Sequence, residues 1–375
     1  MNNLLKNFLL IFFSLILALV VAEGFSRIFF DPIDFLKPQT VSDEVLRYKI
    51  EPNSGAHDSW GFRNKSVPDS SEIVAVGDSH TYGISATASN SWPNMLQRIT
   101  NKRVYNLSLG GYGPAEYLYL MEEKAVKLDP ELIIVGFYLG NDLKDSLSAV
   151  YSVPIWEDLR NAEVASVLED NKDEKIAANN NIGDWFSAHS VLYRIVSSSF
   201  IGDNLRQSRR MKKGEDILML EVPEYGIHTG FTPDRRLEGL SLRNSEVREG
   251  LRLTLVLFNK MNQLAQENDI EFLVAIIPTK ESVFSEFILK SEELADSSKL
   301  NRLMQNEEVV NKLVKTYFRD HSIPYVDMLD PLRNAAGEEQ IYPNNFGGHT
   351  NKNGYRVIAE SINQYLKSDN SQQIR

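Results

Sequence analysis

Five short runs rich in β-branched and aromatic residues recur along the chain, each separated from the next by residues with helical spacing. They are "EIVAV" (72–76), "RVYNL" (103–107), "LIIVGFY" (132–138), "EFLVAII" (271–277) and "PYVDM" (324–328). Runs this short and this apolar have both faces buried, which in a sheet requires helices on each side. The intervening stretches supply them: "WPNMLQRI" (92–99), "AEYLYLMEEKAVKL" (115–128), "EVREGLRLTLVLFNKMNQLAQE" (246–267) and "NKNGYRVIAESINQYLK" (351–367) all carry the 3.6-residue period. Alternating strands and helices predict an α/β fold, a doubly wound sandwich around a five-stranded parallel sheet. The connection between the third and fourth runs is too long for a simple crossover, so residues 145–245 are expected to hold a largely helical insertion acting as a lid or substrate platform. Residues 31–70, rich in Pro, Asp, Asn and Ser, read as an irregular lead-in, and 71–375 as the main domain.

The amino terminus reads differently. From Phe8 to Ala22 no residue is charged, and the apolar character resumes at "IFF" (28–30) after Glu23 and Arg27. Fifteen residues suit the apolar centre of a signal peptide, whereas the whole of 1–30 suits an uncleaved signal anchor, which is the favoured reading. Either predicts a chain exported across the cytoplasmic membrane, anchored there or secreted after cleavage. The formal charge of -11 speaks against a nucleic-acid partner, since phosphate neutralisation needs a basic surface. The one basic cluster, "RQSRRMKK" (206–213), reads as a solvated face or a contact with anionic lipid or polysaccharide. With no cysteine, disulfides and thiolate metal sites are excluded. The histidines at 57, 189, 228 and 321 show no metal-ligand spacing.

In an open parallel sheet the loops after the strand carboxyl ends share one rim, where ligands bind. Four such loops here carry "GDSHTYG" (77–83), "SLGGYG" (108–113), "LGND" (139–142) and "GGHTNKNGY" (347–355). They bring Ser79, Gly111, Asn141 and His349 toward one place. A serine becomes a nucleophile when a base takes its proton, the role expected of His349. The oxyanion of a tetrahedral intermediate needs donors, expected from the Ser79 and Gly111 backbone N–H groups and the Asn141 amide. Asp78 is expected to brace the turn, and His80 to line the pocket.

These blocks, with Gly111 five residues after Asn106, resemble the motifs of the SGNH hydrolases, the GDSL family of esterases and lipases. The resemblance spans residues 72–360 apart from the insertion. It implies a flavodoxin-like sheet, no metal or organic cofactor, and ester hydrolysis or acyl transfer. One element departs from the pattern: the family's Asp, two or three residues before the histidine, is replaced by Gly347 and Phe346. Asn344 and Asn345 are the nearest residues able to orient the ring, and Asp330 or Asp58 could substitute from elsewhere.

"IIPTKESVF" (276–284) is similar to a segment of polysaccharide O-acetylation proteins of the alginate type, with Lys280 a candidate substrate contact. Trp60, Phe62, Arg63 and Tyr112 are candidates to wall the cleft. The expectation is a membrane-anchored serine esterase removing acyl, chiefly acetyl, groups from a cell-envelope or extracellular carbohydrate. A polysaccharide O-acetyltransferase and a carbohydrate-binding or scaffolding protein with a decayed site are the alternatives.

Overall fold

The structure, a computed structural model, describes residues 3–169, 182–197 and 218–368. Five parallel strands, β1 (Ile73–Gly77), β2 (Val104–Ser108), β3 (Leu132–Tyr138), β4 (Glu271–Ile277) and β5 (Tyr325–Asp327), form one sheet in the order β2-β1-β3-β4-β5. The chain starts at β1, steps outward to β2, then reverses past β1 to β3. This is the flavodoxin-like strand order, with its switch point between β1 and β3.

The period of two sorts the core. Ile73, Ala75, Leu132, Ile134, Leu273, Ala275 and Ile277 join one buried cluster with Trp92, Leu96, Leu332, Tyr355 and Ile358, from helices Trp92–Thr100, Leu329–Ala336 and Lys352–Lys367. On the opposite face Phe137 meets Phe258 edge-on at 4.9 Å, and Phe258 meets Phe318 at 5.3 Å. Those rings belong to β3 and to helices Ser245–Glu267 and Ser298–Asp320. Each fully buried aliphatic or Phe side chain of this kind contributes about 1.5–3 kcal/mol relative to exposure. The two layers therefore hold the sheet that presents the loops.

Two segments differ from the sequence reading. The helix read over 115–128 is α-helical only over Pro114–Leu120, widens into a π turn at Met121–Ala125 and tightens into a 3-10 turn at Val126–Leu128. Periodicity fixes the buried face but not the hydrogen-bond pitch. Where it is described, the stretch 145–245 is largely helical, as expected, with one hairpin added. Helix Asp142–Ser152 packs on helix Ser245–Glu267, while Leu218–Val222 and Ile227–Phe231 pair as an antiparallel hairpin. These belong to the compact unit formed by 41–49, 62–174 and 216–375; residues 175–215 group instead with 1–40 and 50–61. The basic cluster at 206–213 lies outside the described residues. The lead-in is less irregular than its composition suggests, containing two short strands, Thr40–Asp43 and Arg47–Ile50.

In the second unit the helix Asn3–Phe29 contains a segment, Leu5–Phe29, long and apolar enough to cross a membrane, with a mean hydropathy of 2.6. A signal sequence near the amino terminus has the same properties.

Candidate active site

β1 ends at Gly77, and Asp78 begins the four-residue helix Ser79–Tyr82. Asp78 caps that helix, its Oδ1 accepting from the His80 N–H at 2.8 Å. The turn is tight because Thr81 lies directly on the sheet: a Cβ at Gly77 or Gly136 would fall 2.1 or 2.2 Å from Thr81 Oγ1. Two strand glycines therefore make the hollow that seats the helix carrying Ser79. Arg63 clamps its far end, donating to the carbonyls of Tyr82, Gly83 and Ala86, with its guanidinium over the Tyr82 ring. Arg63 and Phe62 are thus buried braces rather than walls of a cleft.

The Ser79 hydroxyl lies 2.8 Å from His349 Nε2 and 3.2 Å from Asp78 Oδ2. One proton has two acceptors in reach. Among the described residues no carboxylate contacts His349. Asn345 Oδ1 instead accepts from the Gly347 N–H, Asn344 accepts from Gln340, and exposed Asp330 pairs with Arg333. Asp58 accepts from the Trp60 N–H.

What faces His349 is a cation. Arg236, unremarked in the sequence, forms a buried bidentate pair with Glu281, and its Nη1 would lie 3.2 Å from a Cβ at Gly348. Burial first, then this guanidinium, lower the His349 pKa to about 4. The neutral imidazole needed of a general base is thereby secured, while the imidazolium formed during proton transfer is disfavoured. His80 packs its ring at 3.9 Å from that of Tyr138 and 4.7 Å from that of His349. Burial keeps His80 neutral, and neither of its ring nitrogens has a hydrogen-bond partner among the described residues.

The glycine loop is fixed by residues from the lead-in. Gly111 takes φ +83°, a region open to glycine, and a Cβ there would collide with Tyr48 Oη at 2.2 Å. Tyr48 Oη donates to the Gly110 carbonyl at 2.7 Å, Arg47 to the Gly111 carbonyl at 2.9 Å, and Arg47 also pairs with buried Glu116. Tyr112 is fully buried and bonds the Tyr48 carbonyl, so it does not offer a sugar-stacking face.

The three expected oxyanion donors are not equally ready. The Gly111 N–H has no acceptor among the described residues. The Ser79 N–H faces the Asp78 carboxylate, and the Asn141 amide donates to Asp145 Oδ2 at 2.7 Å and to Asp78. Burial raises Asp78 to about 6 and, with the Asp78 charge beside it, Asp145 to about 7. An incoming oxyanion would have to draw these donors from the carboxylates.

Lys280 turns inward. Its ammonium, fully buried, donates to the carbonyls of Gly230, Asn345 and Gly347 and sits 5.6 Å from the Phe231 and Tyr342 ring centroids. Burial lowers it to about 7. It stitches the histidine loop to the hairpin, which leaves no ammonium for a substrate contact.

No family model matches the chain, and no curated protein does. Among solved structures it is similar to a GDSL-like lipase from Bacteroides thetaiotaomicron, at 13% identity over 79% of this chain and 87% of that one, with a TM-score of 0.34. It is also similar to a catalytic mutant of an acetylxylan esterase from Geobacillus stearothermophilus, at 8% identity over 82% and 98%, TM-score 0.38. An acetyl xylan esterase from Butyrivibrio proteoclasticus matches at 12% identity over 82% and 66%, TM-score 0.33. These scores are low, and the flavodoxin-like arrangement stands on the strand order of the sheet itself.

Proposed function

We propose that the protein is a serine esterase of the SGNH type, removing short acyl groups from an acylated carbohydrate through an acyl-serine intermediate. The observation that carries the reading is the 2.8 Å approach of Ser79 Oγ to His349 Nε2, two residues 270 positions apart, at the carboxyl edge of a parallel sheet.

Ser79 Oγ attacks the acyl carbonyl carbon as its proton passes to His349 Nε2, and the C=O electron pair moves onto oxygen. The oxyanion is received at the Gly111 N–H, with the Ser79 N–H and Asn141 amide released from Asp78. Collapse expels the alcohol, which takes the proton from His349. Water then attacks acyl-Ser79 with His349 again as base, giving the acid and restoring the serine.

Short acyl groups fit best. Ser79 is 9% exposed and has Gly110 and Ile84 close by, which supports a small acyl group over a long chain. An extracytoplasmic location is the reading of the amino-terminal apolar helix as an anchor with Lys6 inside, and a carbohydrate of the cell envelope is the substrate proposed for an esterase held there. The test is turnover of p-nitrophenyl acetate, butyrate and octanoate with and without oligosaccharide acceptors, alongside mechanism-based serine labelling. Acetate turnover with free acid as product supports the esterase. Acetyl groups on the acceptor would make it a transferase, and an unlabelled Ser79 would leave a binding protein.

A further inference from the structure

The amino-terminal helix and the insertion meet in a way that neither segment's sequence announces. The residues from Leu5 to Ala22 would cover about 27 Å at 1.5 Å per residue, close to the hydrocarbon thickness of roughly 30 Å. Lys6, near the beginning, is able to snorkel. The next residue, Glu23, is held by the insertion: its carboxylate accepts from Ser190 Oγ at 2.8 Å and from the N–H groups of Val191 and Leu192 at 3.0 Å each. It thereby caps helix Val191–Ser197. Arg27 donates to Glu23 at 2.7 Å and to the His189 carbonyl at 2.6 Å. Further links bind the following segment, from the Lys37 N–H to the Ser187 carbonyl, Lys37 to Asp184, and Arg194 to the Phe35 carbonyl.

This assembly leaves apolar side chains outside. Trp185 and Val196 are each 60% exposed, with Phe186 at 42% and Tyr193 at 38%; Ile28 and Phe29 are more than 70% exposed. A water-facing pair of helices would turn such residues inward, whereas Trp and Tyr concentrate where a membrane meets water.

We propose that helices Ile182–His189 and Val191–Ser197 form a foot that beds in the lipid headgroup layer at the end of the amino-terminal helix. The occupant of this surface is the bilayer interface. Its continuity with the apolar helix selects it, because Glu23, the point of attachment, lies where a span of Leu5–Ala22 would leave the hydrocarbon. Part of the insertion then serves to set the protein on its membrane.

The experiment uses the full chain reconstituted in phosphatidylcholine and phosphatidylglycerol vesicles whose acyl chains carry bromines at a shallow or a deep position, with tryptophan emission as the readout. Trp185 is one of four tryptophans, so the comparison is between the wild type and Trp185→Phe. The expected result is quenching of up to about a quarter of the emission, stronger for shallow than for deep bromines and lost in Trp185→Phe. Quenching identical in both proteins, or none, would overturn the foot. So would cross-linking of copies through a Trp185 that bromolipid does not reach, which would assign the surface to a second copy. As a second measurement, an intact mass lacking the first 22 or so residues after expression of the full gene would show a removed leader and overturn it as well.

Discussion

The pH profile of ester hydrolysis tests the most unusual feature of the site, a proposed general base, His349, faced by a cation rather than a carboxylate. With its pKa held to about 4 by burial and by Arg236, His349 remains in the base form far into the acid range. At about pH 5 some nine-tenths of the enzyme would carry neutral His349, against about 3% for a histidine at the usual value near 6.5. The acid limb of kcat/KM should therefore fall near 4, with most activity retained at about pH 5. The same depression weakens the base roughly 300-fold, and Brønsted behaviour with a slope near one half turns that into about a twentyfold lower rate above the limb. Arg236→Gln alone would strand Glu281, a buried carboxylate, at a cost of about 3–5 kcal/mol. Arg236→Gln/Glu281→Gln avoids this, and its limb should move upward while the plateau rises. Asp78 titrates near 6, so Asp78→Asn belongs in the same series and should leave the limb near 4 unchanged. A wild-type limb between about 6 and 7 that persists in Asp78→Asn would mean that a negative partner supports the imidazole, and the account of Arg236 would be wrong. A limb near 6 abolished by Asp78→Asn would place control on Asp78 instead.

Other outcomes follow from the same geometry. Ser79→Ala and His349→Ala should each lower kcat by about a thousandfold or more with little additivity in the double variant, measured as single-turnover release of p-nitrophenol. Gly111→Ala forces a Cβ onto Tyr48 Oη at φ +83° and should lower the melting temperature along with kcat; Tyr48→Phe combined with it removes the clash, leaving Cζ at 3.6 Å, but should not restore either fully, because the backbone strain remains and the bond to the Gly110 carbonyl is lost. Lys280→Met replaces the buried ammonium with an apolar chain of similar length and frees the histidine loop, so kcat should fall roughly ten- to a hundredfold at nearly constant KM. The sign of the Lys280 titration is also checkable. Its folded pKa near 7 lies below the unfolded value, so its contribution to stability should be complete above about pH 10.5 and decline as pH drops through 7, a trend absent from Lys280→Met in denaturant titrations.

The sheet was legible because its signals are local. A run such as Leu132–Tyr138 is buried at every position, and only a strand covered on both faces asks for that pattern. The approach of Ser79 to His349 follows from topology, since loops after parallel strands have one rim to share. What the sequence hid depends on contacts between distant residues. Arg236 lies in a stretch with no motif, and its importance comes from the Glu281 pair and the turn at Gly348. Arg47 and Tyr48 sit among Pro, Asp and Asn, where composition suggests only irregular chain, yet they pin Gly110 and Gly111. Lys280 looked outward because lysines usually do; three backbone carbonyls and two aromatic rings are what drew it in. The orientation of the Asn141 amide toward Asp78 and Asp145 likewise reflects which carboxylates folding gathers behind it, a matter no spacing rule reports.

The hollow that holds Thr81 has a meaning for anyone seeking to transplant this machinery. Gly77 lies two residues before Ser79 and would be copied with it, but Gly136 sits within β3, on another strand from the serine loop. A designer who moved residues 77–83 onto another parallel sheet, and left an alanine opposite, would lift the short helix off its seat and carry the serine away from its histidine. The portable unit is thus a loop together with a gap in the neighbouring strand, two pieces of sequence that inheritance or design must move together.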